Sequence, residues 1–212
     1  MKSTQPIGIF DSGIGGLTVA QAVKNHLPHE QLIYFGDIAH LPYGDKSAAA
    51  IQAYSVRISQ MLLAKKCKVI LIACNSASSA AYDLVREYVG RQCQVFDVIN
   101  PTVDFIRENH QEEKVGLIGT KQTVTSDVYG TKIKSINKEI YFRSLATPLL
   151  VPMIEEGIVE NAIAKGIVAN YLSHELLQDI SALILGCTHY PVIKKEIAMF
   201  YEEQGKNIQI ID

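Results

Sequence analysis

The chain has 212 residues, of which 48% are hydrophobic and 20% are charged, and its formal net charge at pH 7 is −2. This length and apolar content can bury the core of one large domain or two smaller ones. Lysine and arginine are scattered, so no basic stripe predicts a nucleic-acid partner. No apolar run approaches the ~20 residues of a membrane span, and the first residues lack a signal-peptide core, which predicts a soluble cytoplasmic protein with no membrane partner.

Strand-like and helix-like segments alternate along the whole chain. The first half is predicted to contain strands at 7–10, 31–36, 69–73 and 94–98 and helices at 17–27, 47–66 and 75–88. Ser47 is the expected N-cap of the second helix.

The pattern starts again near Asn100. The second half is predicted to contain strands at 115–119, 141–145, 182–185 and 208–211 and helices at 101–109, 125–133, 159–177 and 192–203. The segment 147–157 contains two prolines and is expected to be irregular. This alternation predicts an α/β fold of two similar domains with mainly parallel sheets and the active site at the domain interface.

A cysteine follows one strand in each half of the chain. The sequences VILIACNS (69–76) and ALILGCTHYP (182–191) run from a strand into a cysteine and then into hydrogen-bonding side chains. Residues just past the carboxyl end of a parallel strand lie where α/β folds bind ligands. We therefore predict that Cys74 and Cys187 face each other across one substrate.

Two opposed thiols can invert a tetrahedral carbon. A thiolate acts as a base that removes a proton, and a protonated thiol acts as an acid that returns one from the other side. This chemistry predicts a racemase or epimerase. An α-carboxylate next to the reacting carbon needs hydrogen-bond donors for the developing charge. The candidate side chains are those of Ser12, Asn75, Ser76 and Thr188.

The same residues allow other readings. Cys67 and Cys93 fit buried packing positions, because free cysteine is common in protein cores. The four cysteines form no CxxC pair, which argues against disulfides and against a tetrathiolate zinc site. The six histidines show no HxH or HxxxH spacing, so no metal site is predicted. Asp11 and Ser12 could also serve only to open a turn.

The glycine-rich turn after the first strand does not match a nucleotide-binding motif. A P-loop would need lysine and then serine or threonine where Ile14 and Gly15 stand. A dinucleotide fingerprint would need glycine where Thr18 stands.

Six blocks follow one another along the chain: IGIFDSGIGGLTV (7–19), YFGDIAHLPYG (34–44), ACNSAS (73–78), GLIGTKQTVTS (116–126), TPLLVPMIEEG (147–157) and LGCTHYP (185–191). In this order they resemble the glutamate racemases of the cofactor-independent aspartate/glutamate racemase superfamily. The resemblance covers essentially the whole chain.

This resemblance implies that L- and D-glutamate are interconverted by proton transfer between Cys74 and Cys187, with no pyridoxal phosphate or other cofactor. It implies that Asp11 assists Cys74, and that Glu155 and His189 assist Cys187. The implied substrate contacts are Asp11, Ser12, Tyr43, Gly44, Asn75, Ser76, Thr120, Thr123, Thr188 and His189, of which Thr120 and Thr123 would meet the side-chain carboxylate.

The implied role is the supply of D-glutamate for peptidoglycan in the bacterial cytoplasm, and hence cell wall biogenesis and cell shape. Many members form homodimers, so a homodimer is one assembly that the resemblance allows. The family fold implies a first domain of 1–98 plus 209–212 and a second of 99–208. Because the family continues past the position of Asp212, we expect the first domain to lack its C-terminal helices. Ser76 stands where threonine is usual and keeps the hydroxyl.

The residues alone also allow three other functions. A racemase or decarboxylase of the same superfamily that acts on aspartate, a hydantoin or a malonate would share both cysteines. A thiol-transfer enzyme would predict a disulfide between Cys74 and Cys187. A carboxylate-binding module would bind glutamate without exchanging its α-proton.

Overall fold

The computed structural model describes residues 4–110 and 113–212 of the chain. These residues divide into two compact units, with the division between Asn100 and Pro101. Each unit contains a four-stranded sheet in which all neighbouring strands are parallel. No helix within the described ranges is long and apolar enough to cross a membrane.

The sheet of the first unit has the strand order β2-β1-β3-β4. Its strands are β1 (Ile7–Asp11), β2 (Leu32–Gly36), β3 (Val69–Ile72) and β4 (Gln94–Asp97). The connecting helices are α1 (Leu17–His26), α2 (Ala48–Ala64) and α3 (Asn75–Val89). Phe10, Ile70 and Ile72 pack with buried side chains of α2 and α3 in one core cluster. This packing fixes the ends of β1 and β3 beside each other.

The sheet of the second unit has the strand order β6-β5-β7-β8. Its strands are β5 (Lys114–Gly119), β6 (Tyr141–Ala146), β7 (Ala182–Gly186) and β8 (Gln209–Ile211). The remaining helices are α4 (Ile99–Asn109), α5 (Lys121–Thr125), α6 (Val128–Ile136), α7 (Leu150–Glu155), α8 (Ala162–Leu172) and α9 (Lys194–Glu203). Buried side chains of β7, α7, α8 and α9 share one core cluster.

The two sheets have the same topology. In each unit the first strand lies between the second and the third, and the fourth strand lies at the edge. The second strand thus lies on one side of the first strand and the third strand lies on the other side. Parallel α/β sheets bind ligands at the point where the strand order reverses in this way, here between the first and third strands. The predicted fold class, two similar α/β domains with parallel sheets, is confirmed.

Three predicted segments differ from the structure. Residues 147–157 contain the helix α7, because Pro152 lies in its first turn, where the missing N–H would have no partner within the helix. The helix predicted at 125–133 begins later, at Val128, because Asp127 has a left-handed backbone with φ 49° and separates α6 from the short helix α5. The helix predicted at 159–177 is shorter, because the Asn161 side chain caps α8 and accepts a bond from the Ala164 N–H at 3.0 Å.

The placement of residues 209–212 also differs from the sequence-based expectation. Strand β8 pairs with β7 through Ala182 with Gln209 and Ile184 with Ile211, so it belongs to the second sheet and not to the first domain. The apolar residues of β8 extend a sheet whose edge at β7 would otherwise expose unpaired backbone groups.

Candidate active site

The first group of predicted site residues lies where β1 and β3 end. Phe10 pairs with Ile72 in the parallel register, so Asp11 and Ser12 follow one strand beside the place where Cys74 follows the other. Asp11 is fully buried, and Ser12 and Cys74 are each less than 10% exposed. The structure thus brings Cys74 together with Asp11 and Ser12, which lie more than sixty positions earlier in the sequence.

Cys74 is the N-cap of α3. Its sulfur accepts a hydrogen bond from the Ala77 N–H at 3.5 Å, and its thiol donates to Ser12 Oγ at 3.8 Å. Burial, and next the nearby Asp11 carboxylate, raise the pKa of Cys74 to about 12, although the bonds from Ala77 and Ser12 act in the opposite direction. Without a ligand, Cys74 is therefore a protonated thiol at neutral pH.

The carboxylate of Asp11 is held by the loop that follows it. The Gly16 N–H donates to Asp11 Oδ2 at 2.8 Å. The other oxygen, Oδ1, is buried, and no described group lies within hydrogen-bond distance of it. One oxygen of this carboxylate thus accepts a hydrogen bond from the loop, and the other has no partner among the described residues.

Tyr43 lies at the start of a 3-10 turn, Tyr43–Asp45, that also carries Gly44. Its hydroxyl donates to Asp37 Oδ2 at 2.5 Å, and His40 Nδ1 lies 2.8 Å from the other oxygen of Asp37. Burial, and next the bond to Asp37, raise the pKa of Tyr43 far above its ordinary value, so the phenol stays protonated. Side chains thus hold this turn in addition to its backbone bond from the Lys46 N–H to the Tyr43 carbonyl.

Asn75 and Ser76 form the first turn of α3 and are buried. The backbone N–H groups at a helix N-terminus favour an anion, and α3 is long enough for this effect. The substrate contact of Ser76 stays a prediction.

The second group of predicted site residues lies at the end of β7. Cys187 Sγ lies 3.6 Å from His189 Nδ1, and His189 Nε2–H donates to Glu155 Oε1 at 2.8 Å. Cys187 and His189 are buried, whereas about a third of the Glu155 side chain (34%) is exposed. Because Glu155 is the last residue of α7, the helix that the sequence did not predict delivers this carboxylate. The arrangement is a thiol, an imidazole and a carboxylate in a row.

Thr120 and Thr123 lie beside this group. Gly119 pairs with Gly186 in the sheet, so Thr120 follows β5 next to the place where Cys187 follows β7. Thr120 caps α5: its Oγ1 accepts from the Thr123 N–H at 3.2 Å and lies 3.1 Å from Thr123 Oγ1. Thr188 is also buried at the end of β7.

Two further residues hold these groups in place and were assigned no role from the sequence. Tyr34 donates its hydroxyl to the Gly13 carbonyl at 2.8 Å, and Asp37 holds Tyr43. Both lie in the block 34–44, at the carboxyl end of β2. The signal that could have identified them is the adjacency of β2 to β1, which follows from a 2-1-3 strand order.

Comparisons with known proteins agree with this fold. The family described as Asp/Glu/Hydantoin racemase matches residues 17–212. A glutamate racemase of Chlorobium phaeobacteroides is 41% identical over 207 residues, which are 98% of this chain and 75% of that protein. The chain thus spans about three quarters of the length of this relative.

Two solved structures are similar over the whole chain. Glutamate racemase from Francisella tularensis in complex with D-glutamate is 41% identical, with a TM-score of 0.91 over 100% of this chain and 77% of that one. Glutamate racemase from Thermus thermophilus in complex with β-chloro-D-alanine is 38% identical, with a TM-score of 0.87 over the same shares. Taken with the family match over residues 17–212, these similarities show that the chain belongs to the Asp/Glu/Hydantoin racemase family.

Proposed function

We propose that the chain interconverts L- and D-glutamate by moving a proton on and off the α-carbon with two thiols, Cys74 and Cys187. The observation that carries this proposal is the pair of buried strand-end cysteines, which occupy the same position in two sheets of the same topology. The identity of 41% to a glutamate racemase supports glutamate as the substrate.

Inversion at a carbon requires removal of a proton from one side and return of a proton to the other. In one direction His189 accepts the proton of Cys187, the resulting thiolate removes the α-proton, and the Cys74 thiol returns a proton. In the other direction the two thiols exchange roles, so no external oxidant or reductant is needed.

The two thiols are prepared for these roles in different ways. Cys187 has an imidazole at 3.6 Å that can take up its proton, and Glu155 stabilises the imidazolium that forms. None of the hydrogen bonds described for Cys74 joins it to a base. The carboxylate of Asp11 also disfavours the thiolate form of Cys74. A substrate ammonium group near Asp11 would offset that effect and allow Cys74 to ionise.

The remaining site residues would hold the substrate. Donors at the N-terminus of α3, with Ser12, Asn75, Ser76 and Thr188, would bind the α-carboxylate and stabilise the charge that develops beside it. Tyr43 and Gly44 would add contacts from their fixed turn. The hydroxyl pair of Thr120 and Thr123 would meet the side-chain carboxylate and select glutamate over a shorter amino acid.

On the same basis we propose that the product D-glutamate supplies peptidoglycan synthesis in the bacterial cytoplasm. The chain would then contribute to cell wall biogenesis and cell shape, and a homodimer is its proposed assembly.

The test is incubation of the purified chain with L-glutamate in deuterated water, with no cofactor added, while optical rotation and α-deuterium are followed together. Loss of rotation with deuterium incorporation is the expected result, and L-aspartate is the matched substrate control. Cys74→Ser and Cys187→Ser should each retain glutamate binding and lose nearly all turnover, because the two thiols act as a unit. Full racemase activity in either variant, or faster turnover of aspartate than of glutamate, would contradict the proposal.

A further inference from the structure

The hydroxyl of Tyr34 reaches from β2 to the loop after β1. Tyr34 pairs with Ile9 in the parallel sheet and is half-buried. Its hydroxyl donates to the Gly13 carbonyl at 2.8 Å, in the middle of the loop 12–16. The bond joins residues that are 21 positions apart and ties the loop to the neighbouring strand.

The loop is packed against Tyr34 and Asp11 without spare room. A Cβ atom at Gly16 would lie 2.6 Å from Asp11 Cβ and 2.9 Å from the Tyr34 hydroxyl oxygen. A Cβ atom at Gly36, at the end of β2, would collide with the Gly13 carbonyl oxygen. Both glycines are therefore needed for the loop to lie this close to the strand ends.

The two ends of this loop make the contacts that surround Cys74. Ser12, at its start, accepts the hydrogen bond from the Cys74 thiol at 3.8 Å. Gly16, at its end, donates its N–H to the carboxylate of Asp11 at 2.8 Å. A displacement of the loop would change both contacts together.

We propose that Tyr34 is a positioning residue that holds loop 12–16 against Cys74 and so orients Ser12 and Asp11 for proton transfer. The catalytic consequence rests on the proposed racemase function, whereas the effect on the environment of Cys74 does not. Burial, and next the nearby Asp11 and Cys74, raise the pKa of Tyr34 well above its ordinary value. The phenol is therefore protonated and available as a hydrogen-bond donor at neutral pH.

The variant that tests this is Tyr34→Phe, which keeps the ring and removes the donor. The matched control is Tyr201→Phe, because Tyr201 is a buried tyrosine whose hydroxyl has no hydrogen-bond partner among the described residues. Gly16→Ala is a second way to displace the loop while Tyr34 is intact. Circular dichroism melting of all three variants checks that each is folded before it is assayed.

The first readout is alkylation of each cysteine by iodoacetamide as a function of pH, followed by peptide mass spectrometry. Burial is the main cause of the high pKa of Cys74, and its titratable neighbours are Asp11, Tyr34 and Tyr43. In Tyr34→Phe and Gly16→Ala the loop should loosen, so Cys74 should react at least about tenfold faster at pH 8, with its midpoint moved down from about 12. Cys187 should react at the wild-type rate, as should both cysteines in Tyr201→Phe.

The second readout measures kcat and KM for glutamate separately. Loss of this partly buried hydrogen bond should lower kcat by roughly tenfold, with a smaller change in KM, because the proposed substrate contacts of the second unit are untouched. Unchanged alkylation of Cys74 in Tyr34→Phe would overturn the proposal, and a faster reaction in Gly16→Ala alone would show that the loop matters but that Tyr34 does not hold it. If wild type fails to racemise glutamate, the proposed function fails, and the alkylation rates still decide whether Tyr34 holds the loop.

Discussion

Cys187 and Cys74 have the same side chain and different proton chemistry. The thiol of Cys187 lies in a row with His189 and Glu155, whereas Cys74 is surrounded by Ser12, a helix N-terminus and a carboxylate. In each direction of the proposed reaction one thiol must accept a proton while the other donates one, so each cysteine has to reach both protonation states. At the scale of the residue, the two surroundings thus offer different routes to the thiolate: an imidazole beside Cys187, and a substrate ammonium group near Asp11 for Cys74.

This difference leads to a prediction for His189. His189→Asn should lower kcat for glutamate by about 100-fold, because Cys187 loses the group that accepts its proton. Glu155→Gln should lower kcat less, by roughly tenfold, because an amide oxygen still accepts the bond from Nε2–H and the side chain is partly exposed.

Alkylation of Cys187 at pH 7 should fall in His189→Asn while that of Cys74 is unchanged. The control is His26→Asn, since His26 is exposed and contacts only the Ala22 carbonyl among the bonds described for it. Equal slowing of both cysteines in His189→Asn would argue against a separate relay at Cys187.

At the scale of the element, α3 depends on Cys74 for its N-cap. The Cys74 sulfur accepts the Ala77 N–H that would otherwise have no partner at the helix start. Sulfur is a weak acceptor, and a serine hydroxyl is a preferred cap.

We therefore expect Cys74→Ser to be at least as stable as the wild type and Cys74→Ala to be less stable than Cys74→Ser by about 1 kcal/mol. The measurement is the free energy of unfolding from urea titrations at pH 7. Ser47→Ala is the reference, because Ser47 caps α2 through the Ala50 N–H at 3.3 Å and has no catalytic role. Equal stability of the serine and alanine variants would show that the sulfur does not act as a cap.

The helices and strands also show how much of the fold can be predicted from the sequence. Ser47 was recognisable as a cap, and the strands ending before Cys74 and Cys187 were recognisable from their apolar runs, because both signals are local. The helix α7 was missed because Pro148 and Pro152 suggest irregular chain, whereas proline is tolerated before and within a first helical turn. The roles of Tyr34 and Asp37 depend on which strand neighbours β1, and no local pattern contains that information.

At the scale of the whole molecule, the buried thiols make stability depend on alkaline pH. Burial raises the pKa of Cys74 to about 12 and that of Cys93 to about 11, and it also raises the pKa of Cys67. In the unfolded chain each thiol ionises near its ordinary value of 9.0. The folded state therefore binds more protons than the unfolded state between these values, so its stability is lost as pH rises.

The urea midpoint should be constant up to about pH 8 and fall from about pH 9 to pH 11. Cys93→Ala should flatten part of that fall, because it removes one of the groups that must stay protonated. Unfolding measured in the presence of a reducing agent separates this effect from oxidation. A midpoint that does not change over that pH range would mean that the buried thiols already ionise freely in the folded chain.

The oxygen Oδ1 of Asp11 has a further consequence. An unmatched acceptor that is buried costs the folded state roughly 1–3 kcal/mol, and a charged acceptor costs more. A molecule that placed a cationic N–H against it would remove this cost on binding. We therefore expect the first unit to bind glutamate more tightly than glutarate, which has two carboxylates and no ammonium.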